Sequence, residues 1–295
     1  MASTYTYDDG ARREDLLDII TNIDPQETQL ISGLGTSVAK DIFHQFSIDT
    51  LKTVGTNAFV EAVDASYPDR TDPTRLNNVC QIIRVGYDVS DTERSINAAG
   101  FNDRYSYEGQ KALKEWKNDA EFALVRGSLA CGTGSAARQL RGLKNSLSLV
   151  TSRSGVSLTE VMLNDYFQNV WTAGSEVNAV YTGMYMKRKI SGFSGNATQK
   201  NVEVTDKRLI NSVDVYQADA AKMVKLFAHR YVTIAGDVNY DIIGIDEDKI
   251  KTAYLRKPFT RELAKTGDST KGEVVGEMTL EVRHYNAGFL AKAHI

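Results

Sequence analysis

Apolar and polar positions alternate in two stretches, residues 41–50 and 79–90, and the segment between them keeps no period. Period-two alternation predicts half-buried strands. The intervening residues 51–78 read LKTVGTNAFVEAVDASYPDRTDPTRLNN, with Leu51, Val54, Phe59, Val60, Val63 and Tyr67 spread thinly along them. Hairpin connections usually take about two to five residues, and structureless loops beyond about fifteen are uncommon in compact domains. So few large apolar residues cannot cover a core, and an isolated two-stranded projection is marginal in water. The pattern therefore predicts a long projection resting on another surface, and another copy of the same chain is the nearest candidate.

Helical periodicity marks the rest of the N-terminal half. Leu16, Ile19, Ile20 and Ile23 share one face of an amphipathic segment at 12–23, and Asp24-Pro25-Gln26-Glu27 reads as a fresh capped start that Gly33 and Gly35 end. A strong helix is predicted from Tyr105 to about Arg126, near 30 Å long. Leu113, Trp116, Ala120, Ala123 and Leu124 form its apolar stripe, while Lys111, Lys114, Lys117 and Glu121 are expected to face water. A second helix is predicted over 158–173, carrying Leu158, Val161, Met162, Tyr166, Phe167, Val170 and Trp171, with Ser157 or Thr159 at its cap. Strands are expected at 178–182, 212–216, 223–228, 231–235 and 249–255, with a helical turn at 183–190. Residues 276–285 alternate cleanly, Met278, Leu280, Val282 and His284 against Glu277, Thr279, Glu281 and Arg283, with 256–263 as partner through LAKTGDSTKG. Helices and strands mix without a βαβ rhythm, so the fold class is α+β.

Composition narrows the function. The 295 residues are 42% hydrophobic and 25% charged, the balance of a folded globular chain. A net charge of −3 lacks the basic excess of a dedicated nucleic-acid binder. The strongest positive run, Lys187-Arg188-Lys189, has thin aromatic interleaving, with Phe193 after it, and reads as a solvated or subunit-facing patch. The start, MASTYTYDDGARRED, resembles neither a signal nor a transit peptide, and loss of Met1 ahead of Ala2 is expected. No stretch approaches the roughly 20 apolar residues of a membrane span.

Candidate chemistry is sparse. Cys80 and Cys131 make no disulfide framework and read as reduced, mostly buried thiols. His44, His229, His284 and His294 lack ligand spacing, with His44 and His284 read as structural histidines in alternating strands. Asp8-Asp9 and Asp246-Glu247-Asp248 read as solvated turns without the spacing of a calcium loop. Cys131-Gly132-Thr133-Gly134-Ser135 resembles a phosphate-cradling loop, yet no Gly-Lys pair follows and the run comes after a helix rather than a strand. It reads as a structural turn, with Arg138 and Arg141 as surface or subunit contacts. GxSxG and HExxH are missing. No catalytic, cofactor-binding or metal-binding residue is assigned, and no enzymatic activity is expected. The competing enzymatic reading would hold a phosphorylated ligand in the turn 131–141.

Three stretches, RREDLLDIITNIDPQETQLISGLG, KRKISGFSGNATQ and ELAKTGDSTKGEVVGEMTLEVRHYNAGFL, together with the order of elements along nearly the whole chain, resemble one subfamily of tailed-bacteriophage major capsid proteins, the HK97-like fold. The resemblance implies an N-terminal arm at 1–36 and an extended loop with its strands at 37–90. It also implies a peripheral domain from 91–130 and 246–295, with the long helix as spine, and an axial domain at 131–245. It further implies pentamers and hexamers closing into an icosahedral shell around double-stranded DNA, assembled in a bacterial cytoplasm, with no membrane involved. The implied partners are a separate scaffold protein, a portal and a decoration protein. Some relatives crosslink subunits through a lysine in the extended loop, and Lys52 is the one lysine of the stretch 51–78 here. An encapsulin-like shell around a protein cargo is the alternative with the same architecture.

Overall fold

The computed structural model describes residues 28–65, 67, 70–96, 103–193, 213–234 and 240–294. The amphipathic segment 12–23, the helix start at Asp24 and the pair Asp8-Asp9 lie outside these residues.

In chain order the helices are α1 (Gln29–Gly33), α2 (Asp91–Ser95), α3 (Arg104–Arg126), α4 (Leu143–Ser146), α5 (Glu160–Thr172) and α6 (Met184–Ser191). The strands are β1 (Gly35–Val38), β2 (Phe43–Ile48), β3 (Thr74–Val79), β4 (Gln81–Ser90), β5 (Leu149–Val156), β6 (Ala179–Thr182), β7 (Val215–Ala218), β8 (Ala221–Ala228), β9 (Tyr240–Ile245), β10 (Ile250–Glu262), β11 (Ser269–Val282) and β12 (Gly288–His294). They form a four-stranded sheet in the order β1-β10-β11-β4, a six-stranded sheet in the order β5-β12-β9-β6-β8-β7, and a separate antiparallel pair, β2 with β3.

The long helix α3 starts at Asp103, whose carboxylate accepts the Tyr105 and Ser106 amides, and runs 23 residues. At 1.5 Å per residue that is about 35 Å. Its stripe packs on β4 and β11, with Trp116 fully buried and its Nε1 donating to the Ile83 carbonyl at 2.9 Å. Gly276 makes this approach feasible, because a Cβ there would lie 2.7 Å from the Trp116 ring and 3.1 Å from Pro258. The first core joins this helix to both sheets through Leu30, Leu124, Leu140, Ile243, Met278 and Leu280. A second core lies between α5, α6 and the six-stranded sheet, around Phe167, Met186, Val224, Ile242 and Phe289. Thr159 caps α5 by accepting the Met162 amide.

Several expectations change. The two alternating segments do not pair with each other: β2 pairs with β3, drawn from the end of the polar gap, while β4 pairs with β11. Glu121 does not face water but is fully buried. Residues 231–234 form a turn rather than a strand, and His284 falls just past β11, also in a turn. Val161 and Trp171, counted in the apolar stripe of α5, are exposed. Cys80 is buried, but Cys131 is exposed. Strands β5, β9 and β12 had no separate signature: β5 is polar and mostly exposed, and β9 is too short for its apolar run to reveal a period. The C-terminal strand β12 joins the six-stranded sheet between β5 and β9 rather than the sheet under α3, with which the sequence reading had grouped residues 246–295.

Candidate functional site

The feature that projects is the β2–β3 hairpin with its connecting loop, residues 49–73, whose described residues form no strand or helix. Leu51 and Val54 are each 97% exposed and Tyr67 is 91% exposed, with Phe59, Val60 and Val63 also largely in water. Single exposed apolar residues are ordinary, but several large ones exposed together between Leu51 and Tyr67 mark an interaction surface. Lys52 sits in it, exposed.

The base of the hairpin is fastened to the four-stranded sheet by hydrogen bonds that the sequence reading missed. Asn78 is buried with its amide fully used. Its Oδ1 accepts the Val79 and Arg141 amides, each at 2.8 Å, and its Nδ2 donates to the carbonyls of Leu280 at 2.7 Å and Arg141 at 3.0 Å. One side chain thereby ties β3, β11 and the segment before α4. The Cys80 amide donates to the Ile42 carbonyl at 2.8 Å. Burial pushes the Cys80 thiol up to about 11, with the Glu277 charge adding to the rise.

The face of β11 opposite Met278, Leu280 and Val282 carries Glu273, Glu277 and Glu281, and all three are buried. Each carboxylate is flanked by an arginine and a second basic side chain from neighbouring segments. Arg84 and Arg261 flank Glu273, Arg138 and Arg256 flank Glu277, and Arg283 and His44 flank Glu281. Burying a carboxylate costs several kcal/mol unless it is paired and hydrogen-bonded, which explains why polar residues at these positions still read as interior. At Glu281 burial disfavours the charge, but hydrogen bonds from Ser37, Arg283 and His44 outweigh it and hold the carboxyl below its ordinary range. Ser37 lies on β1 and His44 on β2, so this carboxylate on β11 joins the hairpin to the edge strand β1.

Glu121 makes the second junction. It accepts the Leu30 amide at 2.6 Å and the Ile31 amide at 3.0 Å, and lies 2.9 Å from His229 Nε2. These amides belong to the first turn of α1, where backbone N–H groups lack partners within the helix. A carboxylate from the spine helix therefore caps the segment that enters the fold, and the same group reaches His229 just beyond β8.

The other candidates resolve into structure. In the turn 131–141 five backbone amides already have protein partners: Thr133 donates to the Ala136 carbonyl, Ala136 to the Thr133 hydroxyl, Gln139 to the Ala130 carbonyl, Leu140 to the Gln81 side chain and Arg141 to the Asn78 side chain. Gly132 sits at φ +75, a left-handed conformation that favours glycine. No row of amides converges there on a phosphate. Lys187 pairs with Asp214 at 2.8 Å, and Lys189 donates to Ser157 and lies over the Tyr185 ring. Asp246 is not a solvated turn residue: it is mostly buried, accepts the Asp248 amide and pairs with Lys249 at 3.3 Å. His294 is buried between the Tyr166 hydroxyl and the Val156 carbonyl. Among the described residues no three His, Cys, Asp or Glu side chains cluster as metal ligands, and no helix is long and apolar enough to cross a membrane.

A long helix laid across one sheet, a second sheet with its own helices, and an extended hairpin define the HK97-like capsid fold. The capsid of a native GTA particle superposes with a TM-score of 0.69 at 10% identity, covering 98% of each chain. The holo-SrpI encapsulin complex from Synechococcus elongatus PCC 7942 superposes at 0.59 with 14% identity, covering 95% of this chain and 91% of that one. The chain belongs to the SU10 major capsid protein family, whose model matches residues 2–293. The major capsid protein of Escherichia phage Phieco32 is 22% identical over 335 residues, covering 95% of this chain and 93% of that protein.

Proposed function

We propose that this phage capsid protein closes into an icosahedral shell of pentamers and hexamers around double-stranded DNA, each subunit laying its 49–73 loop over a neighbour. The observation that carries this is the loop itself, a series of exposed apolar residues on a firmly anchored hairpin that nothing among the described residues covers. Point-group closure follows from repeated heterologous contacts, which otherwise run on into open filaments. In this reading residues 1–36 act as the arm and 37–90 as the extended loop with its strands. Residues 91–130 and 246–286 form the peripheral unit around α3, and residues 131–245 together with β12 form the axial unit. A scaffold protein, a portal and a decoration protein are the expected partners, with contact to DNA weak and non-specific, and assembly takes place in the host cytoplasm. The turn 131–141 and the buried ion pairs have structural roles, and no catalytic step is assigned to them.

Electron microscopy of the chain co-expressed with its neighbouring scaffold gene tests this. Closed icosahedral particles that take up double-stranded DNA in the presence of the packaging proteins are expected. Particles that enclose a protein cargo and never DNA would favour the encapsulin-like reading, and persistently monomeric protein would contradict both.

A further inference from the structure

At the foot of the hairpin, between β3, β11 and α4, lies a cleft of about 140 Å³. Two guanidinium-bearing residues, Arg75 and Arg141, line it, and no carboxylate does. Among the described residues neither side chain has an ion-pair or hydrogen-bond partner. This contrasts with the adjoining sheet face, where all five arginines, Arg84, Arg138, Arg256, Arg261 and Arg283, meet a glutamate. The backbone of Arg141 is clamped on both its amide and its carbonyl by Asn78, so the guanidinium leaves a fixed point. Asn77 and Tyr285 also line the cleft, neither side chain having a hydrogen-bond partner among the described residues, and Phe46 and Leu76 supply apolar walls.

Two cations held in one cleft repel each other, and an oxyanion placed between them would remove that cost while gaining charge-assisted, two-pronged hydrogen bonds. We propose that this cleft receives a carboxylate from the projecting loop of a second copy of the chain. The inference rests on the shell-forming reading above. Three observations select this occupant. The cleft has room for the end of one side chain, not for a duplex backbone. The chain carries more acids than bases, 38 against 35. And the loop exposes Glu61, Asp64 and Asp72, none of which has an ion-pair partner among the described residues. A loop that must find its place on a neighbour needs a polar contact to fix register as well as apolar area, and a carboxylate seated between two arginines supplies one.

The test uses the full chain, with wild-type shells made in parallel so that failure of the shell-forming reading shows separately. The double variant Arg75→Gln/Arg141→Gln is expected to melt like the wild type and to lose about tenfold or more in shell yield by sedimentation and negative-stain microscopy. Arg75→Glu, at an exposed position, should block assembly without unfolding the chain, and one of Glu61→Arg, Asp64→Arg or Asp72→Arg should restore it. Wild-type yield from the double variant would overturn the proposal, as would failure of all three reversals to rescue. If unassembled wild type binds a short DNA duplex, the double variant does not, and its shells form normally, the cleft is a phosphate site and the carboxylate assignment falls.

Discussion

Glu121 shows how a single residue can look solvated in sequence and be central in structure. Its helical position falls between lysines and the apolar stripe, so periodicity sends it to water. Two orphan amides of α1 and the ring of His229 instead make a buried site that only an acceptor fills. Glu121→Ala leaves those donors unsatisfied and is expected to destabilise the fold by roughly 3 kcal/mol, measured by chemical denaturation. Glu121→Gln, which retains an acceptor oxygen, should cost less. Glu281 carries a pH dependence of known sign. Its carboxyl lies below the ordinary range in the folded chain. Its stabilising contribution is therefore complete above the unfolded value of about 4.3 and is lost as pH falls through the lower folded value. Melting followed from pH 7 to pH 3 should show Glu281→Gln less stable than wild type at neutral pH, with the two converging below about pH 4. A constant gap across that range would contradict this assignment.

Elements with a clear period could be read from sequence. The spine helix differs from expectation by one residue at its start, and β6 and α5 lie close to where patterning puts them, while β10 joins the segments expected at 249–255 and 256–263 and β11 begins inside the expected turn and stops short of His284. Pairing could not be read so directly. The short segment Thr74–Val79 carries two asparagines and an arginine, looks like loop, and is a strand because β2 and Asn78 hold it. Strand β12 follows β11 closely in sequence yet crosses to the other sheet, a choice set by what Phe289 and Leu290 pack against rather than by local propensity. The packing of α3 on β11 depends on Gly276, which reads as an unremarkable glycine in an alternating strand. Gly276→Val would drive a branched side chain into Trp116 and Pro258. It is expected to cost about 1–3 kcal/mol or more from overpacking, seen as a lower melting temperature with loss of the buried-tryptophan fluorescence.

At the scale of the whole molecule, the length of the polar gap pointed to an intermolecular role before any fold was known. The anchors at its base were hidden, because Asn78, Arg141 and Leu280 meet only across more than 60 residues of chain. The structure divides this region into a clamped foot, ending at Thr74, and an uncovered loop, and the two make separate predictions. The foot belongs to the folded subunit and the loop belongs to the assembly. The most direct test replaces residues 51–71 with a short Gly-Ser turn, leaving β2, β3 and the Asn78 clamp intact, and measures shell formation by electron microscopy beside thermal unfolding. The account predicts a chain that melts within about 2–4 °C of the full-length protein and forms no closed shells. Shells of normal size and yield from the shortened chain would contradict it.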